Sequence, residues 1–249
     1  MSLLWRSRKQ RIGLCPDRII LSKNKVLQVN PSPDRAEWHA VVEALPEVLA
    51  GLQKHEVSLV LADRFVRYAL LPWSAALRSD AQWLTLARHR LTAIHGPAAS
   101  GWEVKLADTG PSAPRLACAV ERELIEALAA KFVAANVQLS SVQPFLVAAF
   151  NRIRATIGNG SCWLVVEEPG RLTLALVQRG VWIAIRSRRS DPTWRASLPE
   201  IIERESAFLA LSERCTRVVV CAQSAFDTER YEAFQTRAVS YGELALAWE

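Results

Sequence analysis

The chain holds no apolar run near the roughly 20 residues that would span a bilayer, and its first residues carry no long apolar segment of the signal-peptide type. The expectation is a protein that stays in the cytoplasm. A Walker loop, G-x-G-x-x-G and G-x-S-x-G are all missing, which removes the common nucleotide-loop and nucleophile-elbow chemistries. The five cysteines (Cys15, Cys118, Cys162, Cys215 and Cys221) are odd in number, widely spaced and without a C-x-x-C pair. Three of them, Cys118, Cys162 and Cys221, sit in apolar, strand-like runs, which favours buried thiols over disulfides or metal ligands. His39, His55, His89 and His95 show no ligand spacing either, so no metal and no cofactor are expected. Glu167 and Glu168 are neighbours on one strand and point to opposite faces, so they make a poor acid/base pair.

Half of the 249 residues are hydrophobic, enough for one large or two small cores, and disorder is excluded. The net charge of +6 comes from the first 25 residues, where seven cations face Asp17 alone. A nucleic-acid binder would spread its excess over a folded face with aromatic or polar readers among the charges, and that pattern is absent. Instead Leu3, Leu4 and Trp5 stand beside Arg6, Arg8 and Lys9, which suits an anionic membrane surface. A solvated tail fits the same residues.

Taken in order, strands are predicted over 11–14, 18–22 and 26–29, joined by turns at Cys15-Pro16-Asp17 and Lys23-Asn24. A helix follows, capped by Asp34 with Glu37, striped by Trp38, Val41, Val42, Leu45, Leu49 and Leu52, and kinked at Pro46. A buried strand covers 57–62. The same order recurs late: strands over 162–167, 172–177 and 181–187, a helix over 197–211 with a Ser197/Glu200 capping box, and a strand over 217–222. Meander, helix and strand thus occur twice, which points to a duplicated α/β unit. Between the copies lies a strand over 65–71, split from its predecessor by Asp63-Arg64, then a helix with Ala81, Leu84, Ala87, Leu91 and Ile94 on one stripe. Two more strands, over 102–107 and 116–120, and a helix through Leu124, Leu128 and Phe132 complete an α+β insert over about 65–135. Gln143-Pro144 leads into a helix ending near Gly158. The expected division is a basic tail (1–10), a first half (11–157) and a truncated second half (158–249).

This arrangement resembles the actin-like (ribonuclease H-like) ATPase superfamily, and within it the pilus-assembly PilM and type II secretion GspL families. The resemblance is carried by Leu70 to Ser74 before the helix, by Val142-Gln143-Pro144-Phe145, and by the late meander with its Gln178-Arg179-Gly180 turn. It implies a duplicated α/β fold and a scaffold peripheral to the inner membrane. That scaffold would dock a cytoplasmic segment of a PilN-like membrane subunit beside the insert and contact the motor ATPase. In ATP-binding members the first turn of each half holds phosphates with backbone N–H groups. Here those turns read Cys15-Pro16-Asp17 and Glu167-Glu168-Pro169-Gly170. Proline offers no N–H, and the carboxylates repel a polyphosphate, so the phosphate loops read as degenerate and the chain as a non-enzymatic scaffold. The alternative is an actin-like ATPase that binds and slowly hydrolyses ATP. Phe65, Tyr68, Leu70 and Trp73 with Arg78 form the expected docking surface, with Trp83 beside them.

Overall fold

The computed structural model describes residues 9–22, 25–53, 55–107, 110, 112–211, 214–222, 226–228, 231 and 234–240. Strands β1 (Lys9–Cys15), β2 (Arg18–Ser22) and β3 (Lys25–Gln28) form the expected antiparallel meander, β1 starting two residues early. Helix α1 (His39–Leu49) buries Val41, Val42, Leu45 and Leu49, with Pro46 inside it. It returns the chain to β4 (Glu56–Leu61), which runs parallel to β1. The Asp34 cap does not form: the residue before the helix is Trp38, and Glu37 is engaged by Arg64 instead.

The insert opens with a single 3-10 turn (Asp63–Phe65). It continues through β5 (Val66–Leu71), α2 (Asp80–His95), β6 (Trp102–Leu106) and β7 (Arg115–Glu121), with β7 central in a three-stranded sheet. One face of this sheet, with Ala69, Leu71, Val104, Ala117 and Ala119, packs on Trp83, Ala87 and Leu91 of α2 as a small separate core. The helix is therefore rotated from the expected stripe, leaving Ile94 59% exposed. A Ser79/Gln82 capping box starts it. The other face, with Val66, Tyr68 and Val120, joins the main core. Helix α3 (Arg122–Ala134) belongs to that core as well, through Leu124, Leu128 and Phe132, and packs against α1 and the following strand (Gln138–Pro144) of the first half and against β6 and β7 of the insert.

Strand β8 (Gln138–Pro144), too polar to be predicted, pairs parallel to β4 and ends the first sheet in the order β3-β2-β1-β4-β8. Helix α4 (Phe145–Ile157) then leads to β9 (Ser161–Glu168), β10 (Arg171–Gln178), β11 (Val181–Arg189), α5 (Leu198–Phe208) and β12 (Arg217–Ala222). The Ser197/Glu200 box is not made. A second unpredicted strand, β13 (Gln235–Ser240), runs parallel to β12, and the second sheet has the order β11-β10-β9-β12-β13. Both halves thus place their third, second, first, fourth and fifth strands side by side, so the duplication extends one strand further than the sequence pattern showed. Phe145, Leu146, Ala149, Phe150 and Ile153 of α4 share one core with Ile12, Leu59, Leu164 and Cys221, which joins the two sheets. The far face of the second sheet carries its own core of Trp163, Leu174, Trp194, Ile201 and Ile202. Among the described residues no helix is long and apolar enough to cross a membrane.

Candidate functional site

The point where the two halves meet is built around Asp63, which is fully buried. The sequence places this carboxylate between two apolar runs, and the fold carries it just past the C-terminal end of β4, an inner strand of the first sheet. Its Oδ1 accepts from the Tyr68 hydroxyl at 2.5 Å and from the Leu146 amide at 3.0 Å. Leu146 lies in the first turn of α4, whose preceding Pro144 has no capping side chain, so Asp63 supplies the missing cap from 83 residues away. The Asp63 amide donates to Oε1 of Glu168 at 2.8 Å, a buried bond between the first and second halves. Oδ2 of Asp63 has no hydrogen-bond partner among the described residues. Burial pushes the Asp63 carboxyl up to about 6, against the pull of the Tyr68 and Leu146 bonds and of the Arg171 charge. Burial and the Asp63 charge together hold the Tyr68 hydroxyl well above the usual phenol range.

The two hairpin turns flank this carboxylate. In the first half Cys15 pairs with Arg18 around the two-residue loop Pro16-Asp17. In the second, Glu168 pairs with Arg171 around Pro169-Gly170. The turns are equivalent position for position, with proline second and arginine fourth. Gly170 takes φ +71°, the left-handed value that the third place of a type II turn requires. Asp17 ion-pairs with Arg18 at 2.7 Å, and that bond holds its carboxyl below the ordinary range. The first turn is stitched to its surroundings by Val29 N–H to Asp17 O and Ala62 N–H to Leu14 O, each 2.8 Å. The second is held by Glu168 on Asp63 and by Arg64, which donates to Pro169 O at 3.3 Å. Glu167 faces Arg195 at 3.6 Å.

Beside the second turn lies an open cavity of about 600 Å³, walled by both halves and the insert. Six arginines line it (Arg35, Arg64, Arg67, Arg171, Arg188 and Arg189), together with His95, against two acids, Glu37 and Glu121. Both acids are already engaged, Glu37 by Arg64 and Glu121 by the Trp38 indole N–H at 2.6 Å.

Of the expected docking surface, the fold separates inner from outer members. Phe65 is buried, the Tyr68 hydroxyl is spent on Asp63, and Leu70 packs against the main core. Strand alternation does this, because the β5 face bearing Tyr68 and Leu70 is the one pressed onto the body. Trp73, 49% exposed, and Arg78 remain at the surface. Trp83 is buried under the Arg115 guanidinium, which also ion-pairs with Asp80 at 2.6 Å. Leu3, Leu4, Trp5, Arg6 and Arg8 lie outside the described residues, while Lys9 opens β1 at the edge of the expected tail. Asp63, Arg67, Arg171 and Arg188 were not singled out as site residues. The available signal was Asp63 itself, a charge breaking two buried strands.

No family model and no curated protein matches the chain. Solved structures do. A chain of the PilM–PilN type IV pilus biogenesis complex is similar with a TM-score of 0.66 at 11% identity, covering 97% of this chain and 90% of that one. The cytoplasmic domain of EpsL, an inner-membrane component of the type II secretion system of Vibrio cholerae, gives 0.58 at 11% identity over 96% and 92%. A Bacteroides thetaiotaomicron protein with actin-like ATPase fold and unknown function gives 0.54 at 10% identity over 92% and 87%. Two sheets of one topology, with α4 packed in the core they share and the insert following the first half's fourth strand, make this chain an actin-like fold, similar over nearly its whole length to structures of the PilM and EpsL kind.

Proposed function

We propose that this protein is a non-enzymatic docking scaffold of a pilus-type or secretion-type inner-membrane assembly, binding a cytoplasmic segment of a PilN-like membrane subunit. The observation that carries the reading is the Asp63–Glu168 bond. Beside the second hairpin turn the buried Glu168 carboxylate takes the Asp63 amide, and the Asp63 carboxylate is buried next to it, so the protein's own carboxylates stand where a phosphate-binding centre would need free amides. Pro16 and Pro169 remove one donor from each turn. Trp73 and Arg78, at the end of β5 and before α2, supply solvent-facing contacts on the insert.

The test is a melting-temperature series with magnesium-ATP and, separately, with synthetic peptides covering the cytoplasmic segments of pilus and secretion membrane subunits. A saturable rise with one of the peptides and none with magnesium-ATP is the expected result. Trp73→Ala with Arg78→Ala is expected to weaken the peptide response while leaving the unliganded melting temperature in place. A saturable rise with magnesium-ATP, or turnover of ATP abolished by Asp63→Asn, overturns the reading in favour of an ATPase.

A further inference from the structure

The cavity beside the second turn is lined by more arginines than acids, and the fold compensates their charge only in part. Arg35 is paired with Glu43 and Arg64 with Glu37, but Arg67, Arg171, Arg188 and Arg189 make no ion pair among the described residues. Arg67 donates to backbone oxygens of Arg64 and Val66, and Arg171 reaches the Val66 oxygen at 3.4 Å. Nε of Arg171 and Nη1 of Arg188 are buried donors with no acceptor among the described residues. Buried donors are nearly always satisfied, so both guanidiniums at this cavity have hydrogen-bonding capacity that the described residues leave unused. The local potential is felt by the neighbours: burial first and Arg171 next lower the Arg67 guanidinium, against the pull of Glu121 and Glu37, and partial burial, Arg67 and Arg171 lower the His95 imidazole.

We propose that this cavity is the seat of an acidic stretch of the docked partner segment, its carboxylates bridging Arg67 of the insert to Arg171 and Arg188 of the second half. The proposal rests on the docking reading above. Guanidinium forks match carboxylates two bonds at a time, and here they come from separate parts of the chain, so the ligand must present several anions along its length. A cavity of about 600 Å³ has room for a few residues, and the buried Trp38, Phe65 and Leu124 offer apolar wall for their methylene groups. Its opening to solvent suits a chain that enters and leaves.

The experiment measures anisotropy of a labelled peptide with four consecutive glutamates, and of its glutamine counterpart, at low and moderate salt. Expected are saturable, salt-sensitive binding of the glutamate peptide, at least about tenfold tighter than the glutamine one, and a loss of about tenfold in Arg171→Gln/Arg188→Gln. If that variant fails to fold, charge reversal at the exposed rim by Arg189→Glu is expected to weaken the same binding. Equal binding of the two peptides, unchanged binding in the variants, or tighter competition by inorganic triphosphate than by the peptide overturns the proposal; the last outcome makes the cavity a site for a small phosphate ligand. Membrane-subunit segments that bind wild type and variant alike would sink this inference and leave the docking reading standing. Binding of the glutamate peptide alone, with no segment bound, would sink the docking reading and the partner assignment with it, leaving the cavity as a site for acidic peptide of another origin.

Discussion

The two prolyl hairpins, Cys15 to Arg18 and Glu168 to Arg171, stand in equivalent places of two sheets with one strand order, yet they have been put to different use. In the first, position one is the buried thiol of Cys15 and position three is Asp17, whose carboxylate neutralises Arg18 beside it. In the second, position one is Glu168, which crosses to the Asp63 amide, and position three is glycine. With no carboxylate at that place, Arg171 keeps its charge for the cavity. A difference of two residues in a four-residue turn therefore separates a self-contained hairpin from one that both locks the halves together and offers a cation.

The largest expected effect comes from breaking the lock. Glu168→Ala leaves the buried Asp63 amide without an acceptor and should cost roughly 3 kcal/mol in urea denaturation. Cys15→Ala, at the equivalent position, should cost about 1 kcal/mol. Equal losses would mean that the turns are energetically alike. Next comes Asp63→Asn. Asp63 holds its proton to about 6 when folded against 3.8 as the ordinary value, so the folded chain binds that proton more tightly. Its contribution to stability is therefore greatest below pH 4, falls as pH rises through the window from 4 to 6, and stays low above it. The asparagine variant should be more stable than wild type by about 2 kcal/mol at pH 8 and equal to it at pH 4. An advantage that is the same at both pH values would show that Asp63 titrates normally. The smallest effect is the swap Gly170→Asp, which gives the second turn the first turn's carboxylate. It should cost about 1 kcal/mol for a side chain at positive φ and weaken binding of the glutamate peptide by pairing Arg171.

Much of the architecture could be read from residue patterns. Both meanders and the strands at 57–62 and 217–222 show as β-branched apolar runs, because strands buried on both faces need little else. The two fifth strands did not show. Strand β8 is Gln-Leu-Ser-Ser-Val-Gln-Pro, polar enough to pass for a linker, and it exists because β4 offers it an edge, Ser58 and Ser140 facing each other at 2.9 Å. Strand β13 alternates weakly and is fixed by parallel pairing with β12. Of the docking residues, Phe65, Tyr68 and Leu70 turn inward for a related reason: they are apolar or aromatic in a short run, and which face of that run meets the body depends on where the insert sits.

Periodicity and turn chemistry, which act between neighbours in sequence, determined the duplicated plan, the insert and the place of both prolyl turns. Charge could not be settled that way. Counted along the chain, the excess lies in the first 25 residues and the remainder is neutral, yet the fold gathers arginines from positions 35, 64, 67, 171, 188 and 189 around one cavity and leaves most of their acidic counterparts elsewhere. Electrostatic potential depends on distance in space, so this cavity and the Asp63–Glu168 contact across 105 residues were decided by tertiary structure alone.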